Sequence, residues 1–557
     1  MKKLQHFWQR HYPVIIILAC SVLFLLPFWI HRAYINGHDT NYHLANILGL
    51  SNVNPLEMFN AKLIDFIGSD MGYPSGIFYP QLSHIIPATL YQLIAGFGLS
   101  VFIACRLAHL LILASSGLLI NRLGRLLKLS RNPSLLVAIL YMGSTYHLSD
   151  ILIRDATAEA LVFLFIPLVA ISLYYLHHQQ YRRFLPYFII GTAGLILSHL
   201  VMTIYIGIFF TLYLALNFRS FITPPHKLLM LLLGGGLTLL ITAFFWLPLL
   251  EALQFTSYTA FTDAFMYSGS DYLQPISIYS LFDLNTNFNS IIWAVNLAAL
   301  ALIIYILVAN RTARRNHLLV SLAILSVLAI ALMTLFSFRH LPAPFQMIQF
   351  QWRLNTILSF TLPLATGLAF TYARPNTRPL WTTIILLCTL IGAAAVWQNT
   401  YISTNLTSDS IRNFTVYWAD YLPTKSRQSL DYLASRNSQS TVILQGDATI
   451  LYQASGFPNY QVDIHGVDGS IVVELPRYYA PGYTITASAP DGATTTLNYQ
   501  ESPYGLVTVT VTQDCSLTAT YTGTSLQTIG IVISAVTTGA TAIGLGVAAL
   551  KTRRVRR

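Results

Sequence analysis

Acidic residues are scarce in this chain, and so is charge of either sign. Asp and Glu number 21 in 557 residues, and Asp, Glu, Lys and Arg together make up 10% of the chain against 54% apolar residues. A soluble protein of that length could not cover so much apolar surface, which leaves a chain that crosses a membrane many times. Cysteine is equally sparse. Cys20, Cys105 and Cys388 lie in or beside apolar runs and Cys515 stands alone in a polar tail, so there is no disulfide framework. Neither a GxxxxGK[ST] loop, a GxGxxG turn after a strand, HExxH nor GxSxG occurs. Their absence argues against nucleotide-driven transport and cytoplasmic nucleotide-sugar chemistry, and directs the substrate to arrive in the membrane or from outside.

The charge that is present is sorted by position. The formal net charge is +11, and most of the basic residues fall in short loops between apolar runs or at the two ends of the chain. These loops contain Arg122, Arg125, Lys128 and Arg131; Arg182 and Arg183; Arg219 and Lys227; Arg311, Arg314 and Arg315; and Arg374 and Arg378. The positive-inside rule makes them cytoplasmic, so the excess is a topology signal and a contact for anionic membrane lipids, with no nucleic-acid partner. The run from Pro13 to Ile30 follows Met1-Lys2-Lys3 but lacks an Ala-x-Ala-like cleavage site, and reads as an uncleaved first helix.

These assignments predict about twelve spans, near 13–35, 101–121, 133–150, 157–177, 184–199, 200–217, 227–249, 290–309, 316–336, 353–373, 379–397 and 526–550, with both termini cytoplasmic. The apolar piece from Ile85 to Leu99 is short, carries Pro87 and is followed by no basic loop, so it reads as an outer interfacial or re-entrant helix. Residues 398–525 are polar and alternate with period two, as in Leu506–Thr512 and Tyr483–Ala487, between turns at Pro481-Gly482, Pro490-Asp491-Gly492 and Pro503-Tyr504-Gly505. That pattern predicts a small extracytoplasmic β-rich domain. The predicted architecture is thus a polytopic α-helical membrane domain (1–397), the β-rich domain (398–525), and a final span with a basic tail (526–557).

Candidate chemistry collects on the outer side. Gly37-His38-Asp39-Thr40-Asn41-Tyr42-His43 follows the first span, and an acid and two histidines at a membrane edge call for a reason. Asp39 could act as general base toward a sugar or polyol hydroxyl. With His43 four residues on, it could also hold a divalent metal, although no third ligand is evident. The ordinary structural reading of Asp39 is a helix N-cap. Tyr79 and His84, in and just after Met71–Pro80, suit a sugar face or lipid headgroup, or equally an aromatic belt. In Ser149–Glu159 the spacing predicts Asp155 and Glu159 on one helix face, with Arg154 placed to grip a phosphate or to pair with Asp155 or Glu159. Arg339 and Arg353 bracket an outer loop of aromatics and glutamines and invite an anionic ligand such as a lipid phosphate, or snorkel to phospholipid. His199, between two spans, reads as a structural turn residue.

These pieces resemble the membrane-embedded GT-C glycosyltransferases: an acid in the first outer loop, a pre-helix beginning near Tyr79-Pro80-Gln81-Leu82-Ser83-His84, and a charged second outer loop. More narrowly, the chain resembles bacterial YfhO-like membrane proteins and those labelled 6-pyruvoyl-tetrahydropterin-synthase-related. The matching stretches are Gly37–His43, Arg154–Glu159 with Pro167-Leu168, Phe350–Arg353 and Leu475–Tyr483. The resemblance implies inverting transfer of a sugar from a polyprenyl-phosphate carrier to a cell-envelope glycan, lipid or protein acceptor outside the bacterial plasma membrane. Asp39 would be the base, His38 and His43 its neighbours, and Asp155 or Glu159 a second acid. Nothing here resembles a soluble pterin-binding enzyme, so the tetrahydropterin label is not taken as an activity. Two alternatives remain open: a transporter or flippase of a lipid-linked molecule, which would carry charges deep in its spans, and a non-catalytic envelope assembly protein whose β domain binds a polymer.

Overall fold

A computed structural model describes residues 2–31, 33–66, 70–262, 273–277, 293–342, 348, 350–403, 406, 411, 420–435, 440–456 and 458–556. The first residues of the expected span at 290–309 and most of the 345–349 stretch between Arg339 and Arg353 lie outside the described residues. Helices of eight residues or more are α1 (Lys2–Phe24), α2 (Thr40–Ser51), α3 (Leu82–Ala95), α4 (Val101–Leu126), α5 (Arg131–Met142), α6 (Thr145–Leu152), α7 (Thr157–His177) and α8 (Tyr181–Ser198). They continue as α9 (Leu200–Leu216), α10 (His226–Ile241), α11 (Ala243–Phe255), α12 (Trp293–Ala309), α13 (His317–Leu335), α14 (Asn355–Tyr372), α15 (Arg378–Gln398) and α16 (Ser525–Arg556).

Among the described residues, six helices are long and apolar enough to cross a membrane, and up to eight segments are if the bent pairs α5–α6 (42°) and α10–α11 (66°) each count as one. That is fewer than the twelve spans expected, because several apolar stretches are short: α3, α9, His11–Phe24 of α1 and Ala298–Ala309 of α12 are each 10–17 residues long. The short α3 agrees with the reading of Ile85–Leu99 as too brief to span. At the centre lies α7, packed against α4 and α8, and most of its side chains are buried.

The alternating tail does form a β domain. Its strands are β1 (Val442–Gln445), β2 (Thr449–Gly456), β3 (Asn459–His465), β4 (Ile471–Tyr478), β5 (Tyr483–Ser488), β6 (Thr494–Leu497), β7 (Tyr499–Glu501), β8 (Leu506–Val511) and β9 (Cys515–Tyr521). They make two antiparallel sheets, ordered β1-β4-β8-β7 and β2-β3-β9-β5-β6. Val473, Leu475 and Val509 of one sheet share a core with Val462, Ile485 and Leu517 of the other, as period-two strands with one apolar face should.

The domain is joined to loops of the helical body. Tyr478 N–H donates to the Met71 carbonyl at 3.0 Å, Tyr73 Oη accepts from Tyr421 N–H at 3.1 Å, and the Phe255 and Tyr479 rings stack at 4.8 Å. One glycine is required at this junction. Gly505 has φ +73°, and a Cβ there would stand 2.6 Å from the Ser426 backbone nitrogen. The stretch Leu475–Tyr483 therefore forms the end of β4 and the turn that carries the domain onto Met71.

Candidate active site

Two turns meet because their backbones can touch. A Cβ on Gly37 would stand 2.6 Å from the Arg154 carbonyl carbon and oxygen, so glycine is what lets the first loop lie against the turn after α6. Two residues on, Asp39 N–H donates to the Arg154 carbonyl at 2.9 Å, and Thr40 Oγ1 donates to Asp155 Oδ2 at 2.8 Å. Asp155 takes φ +53°, a left-handed conformation that Asp tolerates better than most residues. This turn sends the Arg154 side chain back over α6, where Nη1 donates to Asp150 Oδ1 at 2.9 Å.

Glu159 occupies the first turn of α7, where the helix dipole favours an acid. Its carboxylate accepts the Arg154 fork (Nη1 to Oε2 2.8 Å, Nη2 to Oε1 3.0 Å), Arg353 Nε and Nη2 (3.0 and 2.9 Å), and the Tyr146 hydroxyl at 2.9 Å. Arg353 arrives from the 3-10 turn Gln351–Leu354 ahead of α14, and its guanidinium lies 4.7 Å from the Phe350 ring centroid. Arg154 Nη2 also stands 3.4 Å from Asp39 Oδ2. Charges of alternating sign thus run Asp39–Arg154–Glu159–Arg353, from a partly open carboxylate to a buried guanidinium. Such pairs hold only because each buried charge finds its partner.

An aromatic wall faces this line. The Tyr79 ring stacks on His84 at 5.5 Å and meets His199 edge-on at 5.8 Å, and His199 Nε2 lies 3.9 Å from Glu159 Oε1. His43 Nδ1 is 2.7 Å from His84 Nε2, and His84 Nδ1 is 2.9 Å from Gln81 Oε1. Burial lowers His43 to about 4, with Asp39 raising it and Arg154 lowering it. The ring is therefore neutral at pH 7, and one imidazole of the pair donates to the other. Asp155 lies behind the cluster, held by Thr40 and by the Tyr34 hydroxyl at 3.3 Å, with His109 Nε2 3.8 Å away. Burial pushes it up to about 8; the Thr40 and Tyr34 hydrogen bonds oppose the shift and Asp39 adds to it.

The structure thus gathers Asp39, His43, Tyr79, His84, Arg154, Glu159 and Arg353. His38 sits exposed beside Asp39. Arg339 is exposed on its own 3-10 turn, Phe338–His340, with its guanidinium toward the Gln274 amide oxygen. Three expectations change. Asp155 and Glu159 do not share a helix face, because the helix begins only at Thr157 and the left-handed turn points Asp155 elsewhere. Asp39 occupies the N-cap position of α2 without a side-chain capping bond. Of the two roles open to Arg154, gripping a phosphate or pairing with Asp155 or Glu159, the pairing with Glu159 is the one formed, and Asp150 and Asp39 rather than Asp155 take its other donors.

A metal does not fit the pair Asp39/His43, since His43 turns to His84 and Asp39 to a guanidinium. Among the described residues no group of three or more His, Cys, Asp or Glu is assembled to hold one.

Several members of the site carried no role in the linear reading: Asp150, Tyr146, Asp420 and Tyr421. Burial pushes Asp420 up to about 6, against Arg427, and the Asp39 charge adds to the rise. Tyr421 meets Tyr79 with ring centroids 6.3 Å apart. No spacing signal links these two to Asp39, because they come from the segment leading to the β domain.

No protein-family model matches the sequence, and a search of curated proteins finds no match. Among solved structures, the chain is similar to a cryo-EM structure of the arabinofuranosyltransferase AftD from mycobacteria, at 15% identity and TM-score 0.44 over 77% of this chain. A point-mutant structure of the same enzyme gives 14%, 0.42 and 77%. The chain spans only 29% and 30% of those two chains, and a likeness this loose identifies neither fold nor activity.

Proposed function

We propose that this chain is a membrane glycosyltransferase that moves a sugar from a polyprenyl-phosphate carrier to a cell-envelope acceptor on the outer side of the plasma membrane. The observation that carries the reading is a gradient of exposure. The Asp39 side chain is 40% exposed, whereas those of Asp150, Asp155 and Glu159 are 0%, 2% and 2% exposed. Of these acids, Asp39 is the one a substrate hydroxyl can reach, and a general base must first be within hydrogen-bond reach of its proton.

In the proposed reaction the acceptor hydroxyl hydrogen-bonds to Asp39. As its oxygen attacks the anomeric carbon, the proton passes to the carboxylate. The bond from that carbon to the carrier phosphate oxygen breaks, and polyprenyl phosphate leaves with the bonding pair. Arg154 is a positioning residue that holds Asp39 by side chain and backbone. Arg353 supplies positive potential for the leaving phosphate, a task suited to preorganised cations, and Arg339, exposed on its own turn, is a second candidate cation for it. Tyr79, with His38, His43 and His84, provides the aromatic and polar wall for a sugar ring. The β domain, joined to the outer loops, is assigned as a cap over this site.

The test uses purified protein in lipid, radiolabelled polyprenyl-phosphate sugars and an envelope fraction, with Asp39→Asn alongside. Transfer by wild type should fall about 10²–10⁴-fold in the variant, with the thermal midpoint unchanged. Full transfer by Asp39→Asn would remove the base from this residue. Binding of the carrier without transfer by either protein would favour a transporter.

A further inference from the structure

A large cavity lies at the far end of α7 from Glu159. It measures about 960 Å³ and opens between α7, α9, α13 and α14, at the upper end of the size of ligand pockets. Ile166, Leu173, Phe209, Phe210, Leu322 and Phe360 are among its walls, while Arg219, Arg315 and His177 stand at its basic end. Arg219 and Arg315 are exposed, and among the described residues neither side chain makes a hydrogen bond or ion pair. No Asp or Glu occurs between residues 160 and 250 or between 284 and 408, so no acid lines the cavity. Toward the interior it reaches Thr356, which is 0% exposed and whose Oγ1 has no hydrogen-bond partner.

Each feature points to the same kind of occupant. An apolar recess of this size within a membrane body favours hydrocarbon over water. From Ile166 to His177, α7 rises roughly 16 Å at ~1.5 Å per residue, about half of a ~30 Å hydrocarbon core. The recess is therefore one leaflet deep. Two arginines with no opposing acid suit a phosphate, whose oxygens match the planar guanidinium donors. We infer that this cavity binds one anionic phospholipid of the basic-loop leaflet, an acyl chain in the recess and the phosphate between Arg219 and Arg315. The site stands independently of any role for Asp39.

The experiment uses the full chain, delipidated in neutral detergent, with lipid retention read by native mass spectrometry and stability by thermal unfolding. Wild type should retain one phosphatidylglycerol in preference to phosphatidylcholine and gain thermal stability from it, while glycerol phosphate and inorganic phosphate should have no effect. Arg219→Ala/Arg315→Ala should lower phosphatidylglycerol retention about five-fold for each arginine removed, without shifting the midpoint of the lipid-free protein. Ala170→Phe, on the cavity wall, should lower retention of both lipids by filling the recess. Equal retention of the two lipids by wild type, or unchanged retention in both variants, would overturn the site. Stabilisation by inorganic phosphate as large as that by the lipid would overturn the lipid as its occupant.

Discussion

At its first turn α7 buries Glu159 between two guanidiniums, and at its last turn it borders a cavity whose arginines bind no protein group among the described residues. The same charge types therefore follow opposite rules some 30 Å apart along one helix, taking ~1.5 Å per residue. At the buried end every charge is paired, since an unpaired one would lose its hydration without return. At the basic end the cations keep their water and need no partner. Pairing at one end builds a rigid constellation, and its absence at the other leaves room for a ligand.

The contrast can be broken most forcefully at Glu159. Glu159→Ala leaves Arg154 and Arg353 buried without their shared carboxylate and should cost about 3–5 kcal/mol, read as loss of monodisperse protein or a steep fall in thermal midpoint. A midpoint near wild type would mean that the two guanidiniums find other partners.

Asp155 sharpens the comparison through pH. Its folded value, about 8, lies above the unfolded Asp value of about 3.9, so the folded state binds more protons between these limits. Stability is then greatest near and below the unfolded value and declines as pH rises toward 8, by up to about 1.4 kcal/mol per pH unit, with no further loss above. Asp155→Asn retains a side chain that tolerates φ +53°. Thermal melts between pH 5 and 8.5 should show the wild type losing ground to the variant as pH rises, and parallel curves would contradict the assignment.

A smaller effect follows from Gly37→Ala. Its Cβ would press on the Arg154 carbonyl at 2.6 Å, and relieving that overlap should cost about 1–3 kcal/mol. If these two turns position Asp39, sugar transfer should fall more than stability does. Smallest of all, Arg219→Ala should change the stability of the lipid-free protein by no more than about 0.5 kcal/mol, as surface substitutions do. A larger loss in thermal or denaturant unfolding would show that this rim is structural after all.

Much of the architecture was legible because its signals are local. The alternation in Leu506–Val511 and Tyr483–Ser488 became strands β8 and β5, since a period of two needs no distant partner to be recognised. The basic loops and apolar runs marked the membrane helices in the same way, although bends at α5–α6 and α10–α11 and the shortness of α9 lowered the number long enough to span. Asp39, Arg154, Glu159 and Arg353 stood out individually as charges in a chain with few of them. Who pairs with whom did not. Arg154 reaches Asp39 across 115 residues and Arg353 reaches Glu159 across 194. Asp155 and Glu159 carried helical spacing, yet the left-handed turn at Asp155 parts them.

Residue type and periodicity therefore sufficed for a multi-pass membrane protein and its β tail, and singled out charged residues without their partners. Those follow from transfer free energies and backbone preferences that act residue by residue. The exposure of Asp39, the saturation of Arg154, the contact of Tyr421 with Tyr79 and the leaflet-deep cavity came only with the packed chain. Burial and ion pairing belong to side chains brought together from helices far apart in sequence, and no local pattern encodes which of them will meet.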